Sequence, residues 1–273
     1  MKKIVTRLLV VAMLMSAIFC FTGCNGKSDW EAVKEKGYFY CGITLYAPMN
    51  YYDEEGDLIG FDTEFAEAVA EYLGVEAKFV TIKWGSKYVE LNGGSIDFIW
   101  NGFTYGEESD GKSRTEYVDF THAYLENRQC LVTKADALET LNTAAAFAGK
   151  KAVVEGGSSG EGVAKTLTDE AKITKFDSQA AALMELIAGT ADFAVIDYQM
   201  ARAMVGTGDY ASLAINTAVE PESEVYAIGC RKGSDLTAKV NEAIEALSEN
   251  GKLAEIAAKY NLTNDLIANI GKE

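Results

Sequence analysis

The segments ELNGGSIDFIWNG (90–102) and ELIAGTADFAVID (185–197) run in register through Glu-Leu, a Gly, a hydroxyl residue and Asp-Phe. Each reads as a helix end, a glycine stop and a buried strand. Generic helix–strand grammar can produce such a likeness; the alternative is two lobes, each containing the same unit. In open α/β sheets, ligands gather beyond the carboxyl ends of strands. Two such lobes would aim residues 101–104 and Asp197 at one shared cleft.

Strand and helix patterns alternate around both units. The first half predicts strands over 38–45, 75–82 and 96–100, and a short helix over 86–92. Asp62 reads as the N-cap of a further helix whose Phe65, Val69, Tyr72 and Leu73 share a face. The second half predicts strands over 150–154, 172–176 and 192–196, with helices over 160–170, 178–188 and 198–205. After an apolar stretch at 225–230, helices over 235–250 and 252–260 close the chain. This alternation implies α/β layers with largely parallel sheets, and the length is comfortable for two lobes.

The first residues read as an export signal. Lys2, Lys3 and Arg7 precede an apolar run from Leu8 to Phe21, too short and wrongly flanked for a membrane span. Phe21-Thr22-Gly23-Cys24 has the pattern of a bacterial lipoprotein cleavage site. Residues 1–23 are therefore expected to be removed, Cys24 to carry lipid, and 24–29 to form a tether. The full chain is acidic, with 41 Asp and Glu against 25 Lys and Arg, and the acidic residues all lie beyond the signal. Such a surface repels nucleic acid and anionic lipid and excludes both as partners. Cys41, Cys130 and Cys230 have no metal-ligand spacing and read as buried free thiols; a disulfide between Cys130 and Cys230 is the alternative. With His122 the only imidazole, most Ser/His and His-rich metal chemistries are excluded, and no cofactor is expected.

Several short motifs follow one another in order. They are Tyr46-Ala47-Pro48-Met49-Asn50-Tyr51, Gly60-Phe61-Asp62, Gly102-Phe103-Thr104, and Arg114 before Val118-Asp119-Phe120. Gly157-Ser158-Ser159, Ala191-Asp192 with Asp197, and Arg231-Lys232-Gly233 continue the set. Over residues 30 to 262 the chain resembles the extracytoplasmic substrate-binding proteins for polar amino acids, family 3, which deliver ligand to ABC transporters. The resemblance implies a two-lobed periplasmic-binding-protein fold of type II, with two parallel or mixed sheets joined by two hinge strands. Lobe one would be 30–123 with 227–273, lobe two 129–221, and the hinges 124–128 and 222–226. It also implies an amino acid as ligand, permease subunits as partners, a monomer, and a place on the extracytoplasmic face of the membrane.

The resemblance places the carboxylate-binding Arg on Arg114, a permanently charged fork suited to a bidentate grip. Thr104, with backbone groups of Asn101 and Gly102, would complete that half of the site. Ser158 and Ser159 open a helix whose backbone N–H groups suit a carboxylate as well. Asp197 matches the acid that accepts the ligand ammonium, Tyr46 and Trp84 the aromatic sandwich, and Glu155 the reader of the side chain's far end. The spacing from Thr104 to Arg114 exceeds the family's usual one, the extra residues lying in 105–113, and Leu45 and His122 stand where the family often has Asp. Taken singly, each residue has a plainer use: Arg114 in a surface ion pair, Asp197 as a helix cap, Ser158 and Ser159 in a turn, Trp84 and Tyr46 in a core. Thr104 would then merely end a strand, and Glu155 face solvent. Glu155 points to a cationic or hydrogen-bonding ligand side chain, with cystine left open. Rival readings are a dehydratase of the same fold with Glu155 as its acid, and an amino-acid sensor module.

Overall fold

The computed structural model describes residues 27–106, 111–268 and 270–271. The expected signal, Cys24 and residues 107–110 of the long loop lie outside them. The first half runs α1 (Asp29–Lys36), β1 (Tyr38–Ile43), β2 (Tyr51–Tyr52), β3 (Leu58–Ile59), α2 (Phe61–Leu73), β4 (Glu76–Thr81), α3 (Lys87–Gly93), β5 (Phe98–Ile99), β6 (Thr104–Tyr105) and β7 (Val118–Phe120). The chain continues with β8 (Leu125–Lys134), β9 (Ala152–Glu155), α4 (Ser159–Leu167), β10 (Ile173–Phe176), α5 (Gln179–Ala188), β11 (Phe193–Asp197) and α6 (Tyr198–Met204). It ends in β12 (Leu213–Asn216), β13 (Ser223–Tyr226), β14 (Gly229–Arg231), α7 (Leu236–Glu249) and α8 (Lys252–Lys259).

Two mixed sheets organise two lobes. The first has the order β4-β1-β5-β14-β7, parallel across β4, β1 and β5 and antiparallel at β14. The second has the order β10-β9-β11-β8-β13-β6, with β12 also paired to β8. β8 and β13 pair antiparallel from Leu125↔Tyr226 to Arg128↔Ser223. Just before them, the Tyr124 N–H meets the Tyr226 carbonyl, and the Thr121 N–H meets that of Ile228. Two adjacent strand paths thus carry the chain between the sheets. β6 pairs with β13 and brings Thr104 against the same crossing.

The repeated unit recurs down to single hydrogen bonds. Gly94 closes α3 by returning its N–H to Glu90 and Leu91, and Gly189 closes α5 on Glu185 and Leu186. Asp97 then exchanges two bonds with Tyr40: its N–H goes to the Tyr40 carbonyl (2.8 Å) and its carboxylate takes the Tyr40 N–H (2.9 Å). Asp192 makes the same pair with Lys151, at 2.9 and 2.8 Å. Each Asp locks its strand to the neighbouring one, and the following apolar residues run buried to the strand end. Residue for residue, Gly102 and Asp197 stand at matching positions.

Aromatic packing holds the first lobe, where Phe39, Phe65, Phe98 and Trp100 meet edge to face or stacked. Phe147 and Phe193 do the same in the second. Such fully buried rings each carry about 3–5 kcal/mol against truncation to Ala. Two sequence expectations are corrected in α2. Its N-cap is Gly60, without a side-chain cap, and Asp62 lies within the first turn with its carboxylate turned to the core. The buried face carries Phe61, Phe65 and Val69, leaving Tyr72 45% exposed. Cys41, Cys130 and Cys230 are free and buried.

Candidate functional site

The floor of the site is built by buried hydrogen bonds in the first lobe. The Asn101 side chain takes the Thr44 N–H and hydroxyl, and donates to Thr44 O and Asn50 Oδ1. The Gly102 N–H is held by Asp62 Oδ2 at 2.7 Å, while Tyr124 Oη donates to Asp62 Oδ1 at 2.8 Å. Burial outweighs these donors and raises the Asp62 carboxyl to about 7. Gly102 sits at φ +55°, and a Cβ there would stand 2.1 Å from Tyr46 Oη and 3.0 Å from the Tyr226 ring. Its lack of a side chain lets Tyr46 close over it. The Gly102 N–H is thereby occupied, so its carbonyl is the backbone group left for a ligand.

Arg114 is not a surface residue. It is 1% exposed, donates from Nη1 to the Thr104 carbonyl at 2.8 Å, and lies 4.9 Å over the Phe103 ring. Ser113 caps the short turn that carries it, Oγ accepting the Thr115 N–H, and the Arg114 N–H is held by Gly106. The long loop is therefore tied off at its two ends.

Asp197 ends β11 and stands at the N-cap position of α6, yet its carboxylate makes no cap bond. It accepts instead from Asn127 Nδ2 (2.8 Å), Gln129 Nε2 (2.7 Å) and Gln179 Nε2. Burial raises its pKa and these amides pull it back. Beside it lies Glu224, which the sequence reading missed. Glu224 Oε1 accepts from Thr104 Oγ1 (3.0 Å), Asn127 Nδ2 (2.6 Å) and Gln129 Nε2 (2.8 Å). Burial and the Asp197 charge raise Glu224 to about 7. Period-two alternation along the crossing strand puts Glu224 on the same side as Tyr226, but no local pattern sets it apart from a solvent-facing glutamate.

Glu155 ends β9, next to β11, and is buried rather than solvent-facing. Its Oε1 has no hydrogen-bond partner among the described residues. Burial and then the Asp197 charge raise Glu155 to about 8, while Lys87 and Arg114 pull it down. Ser158 is the N-cap of α4: Oγ donates to the Glu155 carbonyl and accepts the Glu161 N–H. The N–H of Gly157 is held by Glu161 Oε2, so the donors left at this turn narrow to those of the first helical residues, Ser159 and Gly160.

Trp84 is 4% exposed and meets Phe103 edge to face. Lys87 was also missed by the sequence reading. It is 2% exposed, lies 5.1 Å over Trp84, and donates to the Gly157 carbonyl of the other lobe at 3.0 Å. Further contacts cross between the lobes at Lys83–Asp177 (2.8 Å) and Arg202–Asp265 (2.9 Å). Being exposed, the first is worth at most about 1 kcal/mol. His122 lies away from the site, paired with Glu245 at 2.9 Å.

The raised carboxyls give a pH dependence. A carboxyl whose folded pKa lies above its unfolded one favours folding while protonated. That stability is full below about pH 4.5 and is lost as pH rises toward 8 for Glu155. Denaturant midpoints of ligand-free protein should fall from pH 5 to 8.5, Glu155 contributing on the order of a few kcal/mol. Glu155→Gln should flatten that fall; parallel curves for the two proteins would refute the assignment.

The model of the bacterial extracellular solute-binding proteins, family 3, matches residues 41–263. A probable histidine-binding protein of Neisseria gonorrhoeae is 27% identical over 92% of this chain and 94% of its own. The L-cystine-binding protein TcyJ of Escherichia coli K12 is 30% identical over 84% of each chain. The crystal structure of a mutant ArgBP from T. maritima superposes with a TM-score of 0.76 at 30% identity, over 85% of this chain and 98% of its own. With the family model spanning both lobes and every motif of the cleft, the chain belongs to the bacterial extracellular solute-binding proteins of family 3.

Proposed function

We propose that the protein captures a polar L-amino acid between its lobes and presents it to the membrane subunits of an ABC transporter. The observation that carries this reading is the burial of Arg114 and Asp197 at the cleft, one from each lobe. A guanidinium suits the ligand carboxylate and the carboxylate its ammonium, and only a closed form offers both contacts at once. Relatives named for histidine and cystine support an amino acid as ligand. Lobes of 30–123 with 227–273 and of 129–221 would turn about 124–128 and 222–226, the segments that pair side by side. Thr104, Asn101, Gly102, Ser158, Ser159, Trp84, Tyr46 and Glu155 complete the proposed site. The protein acts by binding, as a monomer, without chemical conversion. Cys24, after Phe21-Thr22-Gly23, anchors it by lipid to the outer face of the cell membrane.

A thermal-shift screen of the twenty amino acids with ornithine, citrulline and cystine tests the reading. A ligand at a hundred times its Kd adds about 2.7 kcal/mol, or roughly 5–11 °C in Tm for a chain of this size. A flat response to every compound would overturn it.

A further inference from the structure

Two amides and two carboxylates close a square where the crossing strands enter the second lobe. On β8, Asn127 and Gln129 stand two residues apart and so share a face. Gln129 lies opposite Asp197 of β11 on one edge of that strand, and Asn127 opposite Glu224 of β13 on the other. Each amide donates to both acids. Asn127 Nδ2 reaches Asp197 Oδ1 (2.8 Å) and Glu224 Oε1 (2.6 Å), and Gln129 Nε2 reaches the same two oxygens (2.7 and 2.8 Å). The hydrogens of both amides are thereby spent. Thr104 Oγ1 gives its single hydrogen to Glu224 Oε1 as well (3.0 Å), so toward any further group that hydroxyl can only accept. Three donors thus converge on Glu224 Oε1, while its Oε2 takes none among the described residues.

This corner is rich in acceptors, and two like charges share it. Burial together with the Asp197 charge lifts Glu224 to about 7, and a cation set against both acids would relieve that repulsion. We infer that Glu224 is a second acid on the α-ammonium of the ligand, which directs its three N–H groups to Asp197, Glu224 and the Thr104 hydroxyl. This rests on the amino-acid-binding reading, in which Asp197 is the only acid on that ammonium. It moves Thr104 from the carboxylate end of the ligand, where the resemblance puts it, to the ammonium end. The carboxylate is left to Arg114 and the N–H groups of Ser159 and Gly160. Glu155 is no part of the square: it ends the neighbouring strand β9 and receives neither amide. Because every α-amino acid carries the same ammonium, Glu224 sets affinity for the class and not the choice among side chains.

The test repeats the thermal-shift panel of twenty amino acids, ornithine, citrulline and cystine on the full chain in detergent. Wild type is compared with Glu224→Gln, Thr104→Val and the double variant, with calorimetry for each compound that shifts wild type. Glutamine keeps the oxygen that Thr104, Asn127 and Gln129 use and puts an amide donor in place of Oε2. Each such compound should bind Glu224→Gln at least about tenfold more weakly, by a similar factor whatever its side chain. Ligand-free Glu224→Gln should melt no lower than wild type at pH 8, since the substitution ends a repulsion between acids; a merely structural role would lower stability and affinity together. The double variant should lose less than the product of the two single losses, because both substitutions act on one contact. Unchanged affinities in Glu224→Gln, a loss confined to some side chains, or a matching fall in ligand-free stability would overturn the inference and leave amino-acid binding intact. A flat panel in wild type would overturn both. Should Glu224→Gln not fold, Thr104→Val decides: the same uniform loss upholds the inference and unchanged affinity overturns it.

Discussion

Arg114→Met should lose amino-acid binding by between roughly 30-fold and a few thousandfold while the protein still folds. Methionine keeps an apolar stem against Phe103, and it removes the fixed positive charge proposed above to meet the ligand carboxylate. The buried carboxylate would then have to be desolvated without a counter-charge, which is the larger part of the loss. Arg114 also donates to the Thr104 carbonyl, so some stability goes with it. Arg114→Lys tells the two effects apart. Lysine restores a point charge without the planar fork, so binding should recover in part while remaining at least about tenfold below wild type. Calorimetry giving wild-type affinity for Arg114→Met would place the ligand carboxylate elsewhere.

The architecture was legible because it rests on periodicity. The units at 90–102 and 185–197 share not only a pattern but the reciprocal Asp97–Tyr40 and Asp192–Lys151 bonds that place their strands. Asp197 could be picked out by its position at the end of such a strand. Lys87, Glu224 and Asp62 could not, for a common reason. A lysine opening a helix, a glutamate in an acidic segment and an aspartate in a first turn all have ordinary solvent-facing uses. The carbonyl that Lys87 reaches, that of Gly157, comes from the second lobe, and the crossing of β13 past β6 puts Glu224 against Thr104. Asp62 reads as a cap when its tertiary partner, the Gly102 N–H, is forty residues further along the chain. Glu155 was legible as a position at the end of a strand, whereas its burial and the charges around it come from the tertiary fold.

Gly60→Ala should cost roughly 3–4 kcal/mol and lower Tm by about 6–16 °C, a large effect for one methyl group remote from the ligand charges. Gly60 has φ 129° and ψ 166°, a region that only glycine enters freely. A Cβ there would stand 2.1 Å from the Met49 carbonyl oxygen and 2.5 Å from its carbon. That backbone cannot withdraw alone. The Met49 carbonyl accepts the Asp62 N–H at 3.1 Å, and the Pro48 carbonyl accepts the Phe61 N–H at 2.8 Å. Met49 is fully buried, and Tyr46 and Asn50 are bonded to each other across the same turn. Relief would have to move either that turn, which carries Tyr46, or the start of α2, which carries Asp62 and through it Gly102. Either route deforms the floor beneath the ligand, so affinity should fall together with stability. Gly56→Ala is the control: it also has positive φ, at 91°, but nothing lies within 4 Å of its Cβ. It should cost only about 1 kcal/mol, the backbone term alone. Equal melting temperatures for the two variants would show that the contact with Met49 does not hold the site together.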